Sequence, residues 1–165
     1  MRRPLTVVAF ACSAVILSAG LAGADSQTVA GDKYGGTIGD IKKIVVDNGK
    51  NAVTTKVFGL GKPCGGAKSL TVSVQSTGGK TLYRGEAGCY SGTEWIWGLY
   101  DKTDKQVKCP KFDIGRTAKT GAYTVVMPRS CLDNAPDKIK VEVDGVNWNS
   151  VTGGHAGPTK ALGRG

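Results

Sequence analysis

The sequence predicts an all-β fold: a single antiparallel β-sandwich, Ig-like or jelly-roll-like, of about 6 to 9 strands with two disulfides. Three observations carry this expectation. Apolar residues recur with period two over short runs, as in Val53, Thr55, Val57 and again in Ile139, Val141, Val143. That is the spacing at which side chains share one face of a strand. Glycine and other turn residues punctuate these runs every 8 to 12 residues or so, and no window sustains a helical period. Finally, four cysteines, Cys64, Cys89, Cys109 and Cys131, lie beyond an N-terminal segment that has the pattern of a removable leader.

Residues 1–24 read as that leader, a signal peptide. Arg2 and Arg3 form a positive start, Leu5 to Leu21 is almost wholly apolar, and Ala22-Gly23-Ala24 supplies the small residues a signal peptidase requires. The apolar run is close to the lower limit for a membrane span, about 18 residues, but the small residues before polar Asp25 favour cleavage. Cys12 sits in mid-run with apolar residues after it, a poor place for lipid attachment. No comparable run follows residue 24, so no membrane span is expected after cleavage. Residues 25–165 then form one domain-sized chain of 141 residues.

Removal of Cys12 leaves an even cysteine count, which in an exported chain reads as two disulfides. Three pairings exist on paper. The sequential one, Cys64 with Cys89 and Cys109 with Cys131, is preferred because each bridge closes a local loop. Zinc is disfavoured, since no two of these cysteines have the close C-x2–4-C spacing of tetrahedral sites; no metal and no cofactor is expected. The formal charge of +9, which falls to +7 without Arg2 and Arg3, comes mainly from dispersed lysines. It attracts polyanions at long range and keeps a secreted domain in solution without defining a site.

In chain order, residues 25–39 read as a flexible lead-in, polar and glycine-bearing. The domain proper spans 40–148. Its first strand covers Ile41 to Asp47, with Ile44 and Val46 inward, and Asn48-Gly49 has the chemistry of a tight hairpin turn leading into Val53–Val57. A glycine-rich loop carries Pro63 and Cys64. Leu70, Val72 and Val74 alternate with Thr71, Ser73 and Gln75; Gly78-Gly79 turns the chain into Thr81–Glu86, and Cys89 follows. Trp95, Trp97 and Leu99 share one face of the next strand, which ends in a charged turn from Asp101 to Lys105. Gln106 to Lys108 pair briefly. The unit from Cys109 to Leu132 turns through Gly115 to Gly121 and carries a strand, Ala122 to Met127, with Tyr123, Val125 and Met127 inward. Pro128 ends that strand or marks an edge, having no N–H for the ladder. After Trp148 the chain has too little apolar content to order itself, and residues 149–165 read as a disordered tail.

Asp40-Ile41 with Ile44-x-Val46-Asp47-Asn48-Gly49, together with Cys109-Pro110 followed by Val125-Val126-Met127-Pro128-Arg129-Ser130-Cys131-Leu132, resembles a group of small secreted actinobacterial proteins. The resemblance covers about residues 40–145. It implies export and a disulfide-bonded β-sandwich, and it transfers no catalytic residue.

Elements of a reaction centre are missing. The single histidine, His155, lies in the tail, so a Ser-His-acid triad would require that tail to fold back on the domain. Ser91 lacks the spacing of a nucleophile elbow. Glu86 and Glu94 as paired glycosidase carboxylates have no evident groove and read better as solvated residues. Asp101 and Asp104, or Asp144, Asn147 and Asn149, do not follow a calcium-loop spacing and suit turns instead. No enzymatic activity is therefore expected.

Binding is the better-supported class. Tyr90, Trp95, Trp97 and Tyr100 form the richest aromatic cluster, with Lys102 and Lys105 beside it and Lys108 and Lys111 further on. Exposed rings of this kind form platforms for sugars; buried ones fill a core, and alternation of Trp95 and Trp97 with Leu99 suits core filling. The expected role is a secreted, extracellular or cell-wall-associated binding module whose partner is a cell-wall polymer, a glycan or a secreted protein. Specific nucleic-acid binding is not expected, because no recognition motif accompanies the lysines. An alternative is a disulfide-anchored protease inhibitor presenting Lys111, since Cys109-Pro110-Lys111 is similar over three residues to the reactive segment of secreted subtilisin inhibitors.

Overall fold

A computed structural model describes residues 25–32, 41–61, 64, 69–90, 94–133, 135–146 and 153–165. The signal peptide expected over 1–24 lies outside the described residues. Ten strands are present in this part of the chain: β1 (Asp25–Ala30), β2 (Lys43–Asn48), β3 (Ala52–Phe58), β4 (Ser69–Gln75), β5 (Thr81–Tyr90), β6 (Glu94–Asp101), β7 (Asp113–Arg116), β8 (Tyr123–Pro128), β9 (Lys140–Val146) and β10 (Gly153–Ala156). They form two five-stranded antiparallel sheets, ordered β1-β2-β3-β8-β7 and β10-β9-β4-β5-β6. The fold is the expected β-sandwich.

Period-two patterning decides which side of each strand is buried. Ile44 and Val46, Val53 and Val57, and Tyr123, Val125 and Met127 of the first sheet meet Leu70, Val72, Val74, Val141 and Val143 of the second in one apolar core. Most alternate residues are at least partly exposed, although Ser73 and Gln75 of central strand β4 are buried. The two bridges are Cys64–Cys89 and Cys109–Cys131, separated by 25 and 22 residues. The first ties a loop to β5, and the second ties the approach to β7 to the single 3-10 turn, Arg129–Cys131, that follows β8.

The chain ends differ most from the sequence reading. Asp25–Ala30, placed there in a flexible lead-in, is an edge strand paired with β2 from Asp25↔Asn48 to Ala30↔Lys43. Residues 153–165, read as part of a disordered tail, pair as β10 with β9 and then run back over the molecule. Composition misleads here because main-chain bonds, rather than apolar side chains, do most of the holding. The Thr159 N–H donates to Val141 O at 2.9 Å while its side-chain Oγ1 accepts from the Val141 N–H at 3.0 Å, Leu162 and Ile139 exchange two main-chain bonds at 2.8 and 3.1 Å, and the Gly165 N–H donates to Asn48 O at 3.1 Å. Leu162 is the one large apolar plug of this segment, and it is buried.

The ends also join the sheets. The bridge between Gly31 and Ala156, and the Asp32 N–H donating to His155 O at 2.8 Å, link edge strand β1 to edge strand β10. Closing an edge in this way removes unpaired main-chain groups that invite association. Gly31 permits the corner, for a Cβ there would lie 1.7 Å from Ile41 O.

Asn48 also departs from its expected role. It lies at the end of β2, the β2–β3 connection covers residues 49–51, and neither Asn48 nor Gly49 has a positive φ. The Asn48 side chain is fully buried instead. Its Nδ2 donates to Leu162 O at 2.8 Å and Asp137 O at 3.0 Å, and its Oδ1 accepts from Arg129. One amide thus joins β2, the 3-10 turn and the returning tail.

Candidate functional site

The richest combination of exposed aromatic and hydrogen-bonding groups is at β6, the outer strand of the second sheet. On that sheet's solvent face the register aligns Ser69, Gly88 and Ile96, then Thr71, Glu86 and Gly98, then Ser73, Arg84 and Tyr100. Beyond β4 the rows continue with Asp144 opposite Thr71 and Glu142 opposite Ser73, and His155 sits opposite Asp144. The face is therefore polar across its middle and apolar at one corner.

Trp97 lies on the other face, with Ala87 and Leu99, yet it is 46 % exposed while Leu99 is 1 % exposed. The difference is one of level in the sandwich. Leu99 pairs with Gly85, where a Cβ would meet Met127 Cε at 2.7 Å and the Phe112 ring at 3.0 Å, so the opposite sheet covers that level closely. Trp97 is two residues further along an edge strand and beyond that cover. The expectation that alternation with Leu99 makes it a core residue thus fails at Trp97. Period two assigns a face, but an edge strand can carry that face past its partner sheet.

Trp97 is common to the walls of two depressions. One, about 240 Å³, is lined by Ser69, Thr71, Glu86, Ile96 and Tyr100 as well as Trp97. The other is lined by Trp97 with Gln106, Lys108, Pro110 and Phe112. Ile96, 50 % exposed on the solvent face, extends the apolar surface. Tyr100 is half-buried and lies across Gly98, its ring 3.0 to 3.2 Å from where a Cβ would stand. The side chains of Tyr90, Glu94 and Trp95 lie outside the described residues, as do Ser91, Asn147 and Asn149.

Lys102 and Lys105 are exposed on the turn after β6 and line neither depression. That turn is built on Asp101, whose carboxylate accepts from the Thr103 hydroxyl at 2.7 Å and the Thr103 N–H at 2.8 Å; these bonds hold it below its ordinary range. Lys111 is also exposed, in a tight turn closed by the Phe112 N–H donating to Cys109 O at 3.1 Å.

The charged groups beside the site hold one another. Arg84 donates to Asp104 at 2.6 Å and to Glu86 at 2.8 Å, and these carboxylates, Asp104 first, raise its already high pKa. Glu86 is thus oriented along the rim of the depression. His155 Nδ1 lies 2.8 Å from Asp144, and its Nε2 lies 3.2 Å from Gly157 O and 3.4 Å from Glu142. The hydrogen bond to Asp144 is the main cause that raises the His155 pKa, against the opposing effect of partial burial. Sequence reading placed this histidine in a free tail, because a four-residue strand with two glycines leaves no periodic signal.

Among the described residues no group of three or more His, Cys, Asp and Glu is arranged to hold a metal, and no helix is long and apolar enough to cross a membrane. No family model matches the chain, and no curated protein is significantly similar to it.

Proposed function

We propose that this chain is a secreted, non-catalytic binding module that seats a sugar ring of an extracellular or cell-envelope glycan against Trp97. The observation that carries the reading is the half-exposed Trp97, which helps to line two open depressions, one shared with Ser69, Thr71, Glu86 and Tyr100 and the other with Gln106 and Lys108. A pyranose offers an apolar C–H face to an indole and a ring of hydroxyls to polar neighbours, so one aromatic platform with flanking acceptors and donors suits it. Two disulfides and the leader-like N-terminus support export to an oxidising compartment.

The test is co-sedimentation of the oxidised protein with purified cell-wall glycan at low and high salt, with Trp97→Ala alongside. Retention at high salt is expected, with affinity falling at least tenfold in the variant, about 1.4 kcal/mol. Retention confined to low salt means that net positive charge suffices, and it sinks the proposal, as does a variant that binds as tightly as the parent.

A further inference from the structure

A second feature lies on the first sheet, away from Trp97. Lys50, Lys111, Arg129 and Arg164 line an open depression of about 610 Å³ where the β2–β3 connection, the Cys109–Phe112 turn, the 3-10 turn and the returning tail converge. Ser130 and Asn51 complete the polar lining, and among the described residues no carboxylate lines it. These cations are distant in sequence and are assembled only by the fold.

Arg129 sets this depression apart from a solvated basic patch. It is only 9 % exposed, and its Nε is buried without a hydrogen-bond partner. Its terminal nitrogens donate to neutral oxygens, Asn48 Oδ1 and Pro136 O. The nearest carboxylate, Asp137, forms its ion pair with Arg164 Nη1 at 3.4 Å rather than with Arg129. Burial pulls the Arg129 pKa down, nearby Arg164 adds to that, and Asp137 opposes both. A guanidinium stays charged even so, and a buried cation lacking an ionic partner is costly unless an anion arrives to balance it.

We propose that this depression is an oxyanion site that seats a phosphoryl group against Arg129, with Lys111 and Arg164 closing on it from the rim. Cations on four separate segments surround a tetrahedral group better than a planar carboxylate, which two donors satisfy. Arg164 is held at the rim, its Nε and Nη2 donating to Lys50 O at 3.3 and 3.0 Å and its Nη1 paired with Asp137, so a bound anion competes with both for its donors. The phosphoryl group is either a free phosphate or monoester, or the diester of an anionic polymer.

The experiment follows the amide resonances of Lys111, Ser130 and Arg164 while inorganic phosphate is added to the oxidised protein at constant ionic strength. Saturable shifts at these residues are expected. A Lys111→Ala/Arg164→Ala double variant, altered only at exposed side chains, should weaken binding at least tenfold with the rest of the spectrum unchanged. Arg129→Lys should weaken it as well, and the exposed pair carries the test if that variant does not fold. Shifts that chloride reproduces, or an unchanged affinity in the double variant, overturn the site. Tighter binding of acetate or citrate than of phosphate overturns the phosphoryl assignment. Addition of poly(glycerol phosphate) separates the sources: tighter binding per phosphate than inorganic phosphate identifies a diester polymer, and weaker binding identifies a free phosphate or monoester.

Discussion

Replacing Asn48 by alanine removes the amide that joins three parts of the molecule. Asp137 O loses the donor now 3.0 Å away, Leu162 O loses one of two donors and keeps the Ile139 N–H at 3.1 Å, and Arg129 loses its Oδ1 acceptor. A carbonyl left without its partner in a buried setting costs about 1 kcal/mol, and a bond to a charged group contributes about 1.5–3 kcal/mol. The expected destabilisation is therefore about 3 kcal/mol, a large part of the roughly 5–15 kcal/mol available to a domain. Urea unfolding of the oxidised protein is the assay. With a slope near 2 kcal/mol/M, the midpoint should fall by about 1.5 M. Hydrogen exchange of the Leu162 and Ile139 amides should accelerate together, because both lie on the tail contact that Asn48 anchors. A loss below about 1 kcal/mol with unchanged exchange would falsify the assignment of Asn48 as the junction. The connection would then owe its stability to the main-chain pairs alone.

Two further outcomes follow from the same structure. His155 is the single histidine, so its imidazole resonances are unambiguous; its NMR titration midpoint should lie above the ordinary 6.5, and Asp144→Asn should lower it. Because the folded pKa is the raised one, this contribution to stability is complete below about pH 6.5 and is lost as pH rises through the folded value; a midpoint at or below the ordinary value refutes the pairing. Converting Cys109 and Cys131 together to serine removes a bridge across 22 residues and should cost about 3 kcal/mol in thermal or denaturant unfolding. A much smaller loss would mean that the β7–β8 ladder already holds this unit closed.

The sequence by itself determined the class of fold, the principal strands and the side of each that is buried. Ile44 and Val46, Val72 and Val74, or Val141 and Val143 announce their common face locally, because alternation is a property of one strand's backbone and needs no partner to be read. The disulfides were legible for a related reason: each joins segments close in sequence. Tertiary structure alone decided how the sandwich ends. The strands Asp25–Ala30 and Gly153–Ala156, and the bridge between Gly31 and Ala156, depend on main-chain bonds to distant strands, and such bonds leave no mark on composition. The same holds for function. Trp97 has the periodicity of a core residue and becomes half-exposed because β6 lies at an edge, past the level at which Met127 and Phe112 close over Gly85 and Leu99. Lys50, Lys111, Arg129 and Arg164 are scattered cations in the sequence and line one depression because four connections end at the same place. Patterning along a strand states which way a side chain points; only the meeting of strands states what it points at.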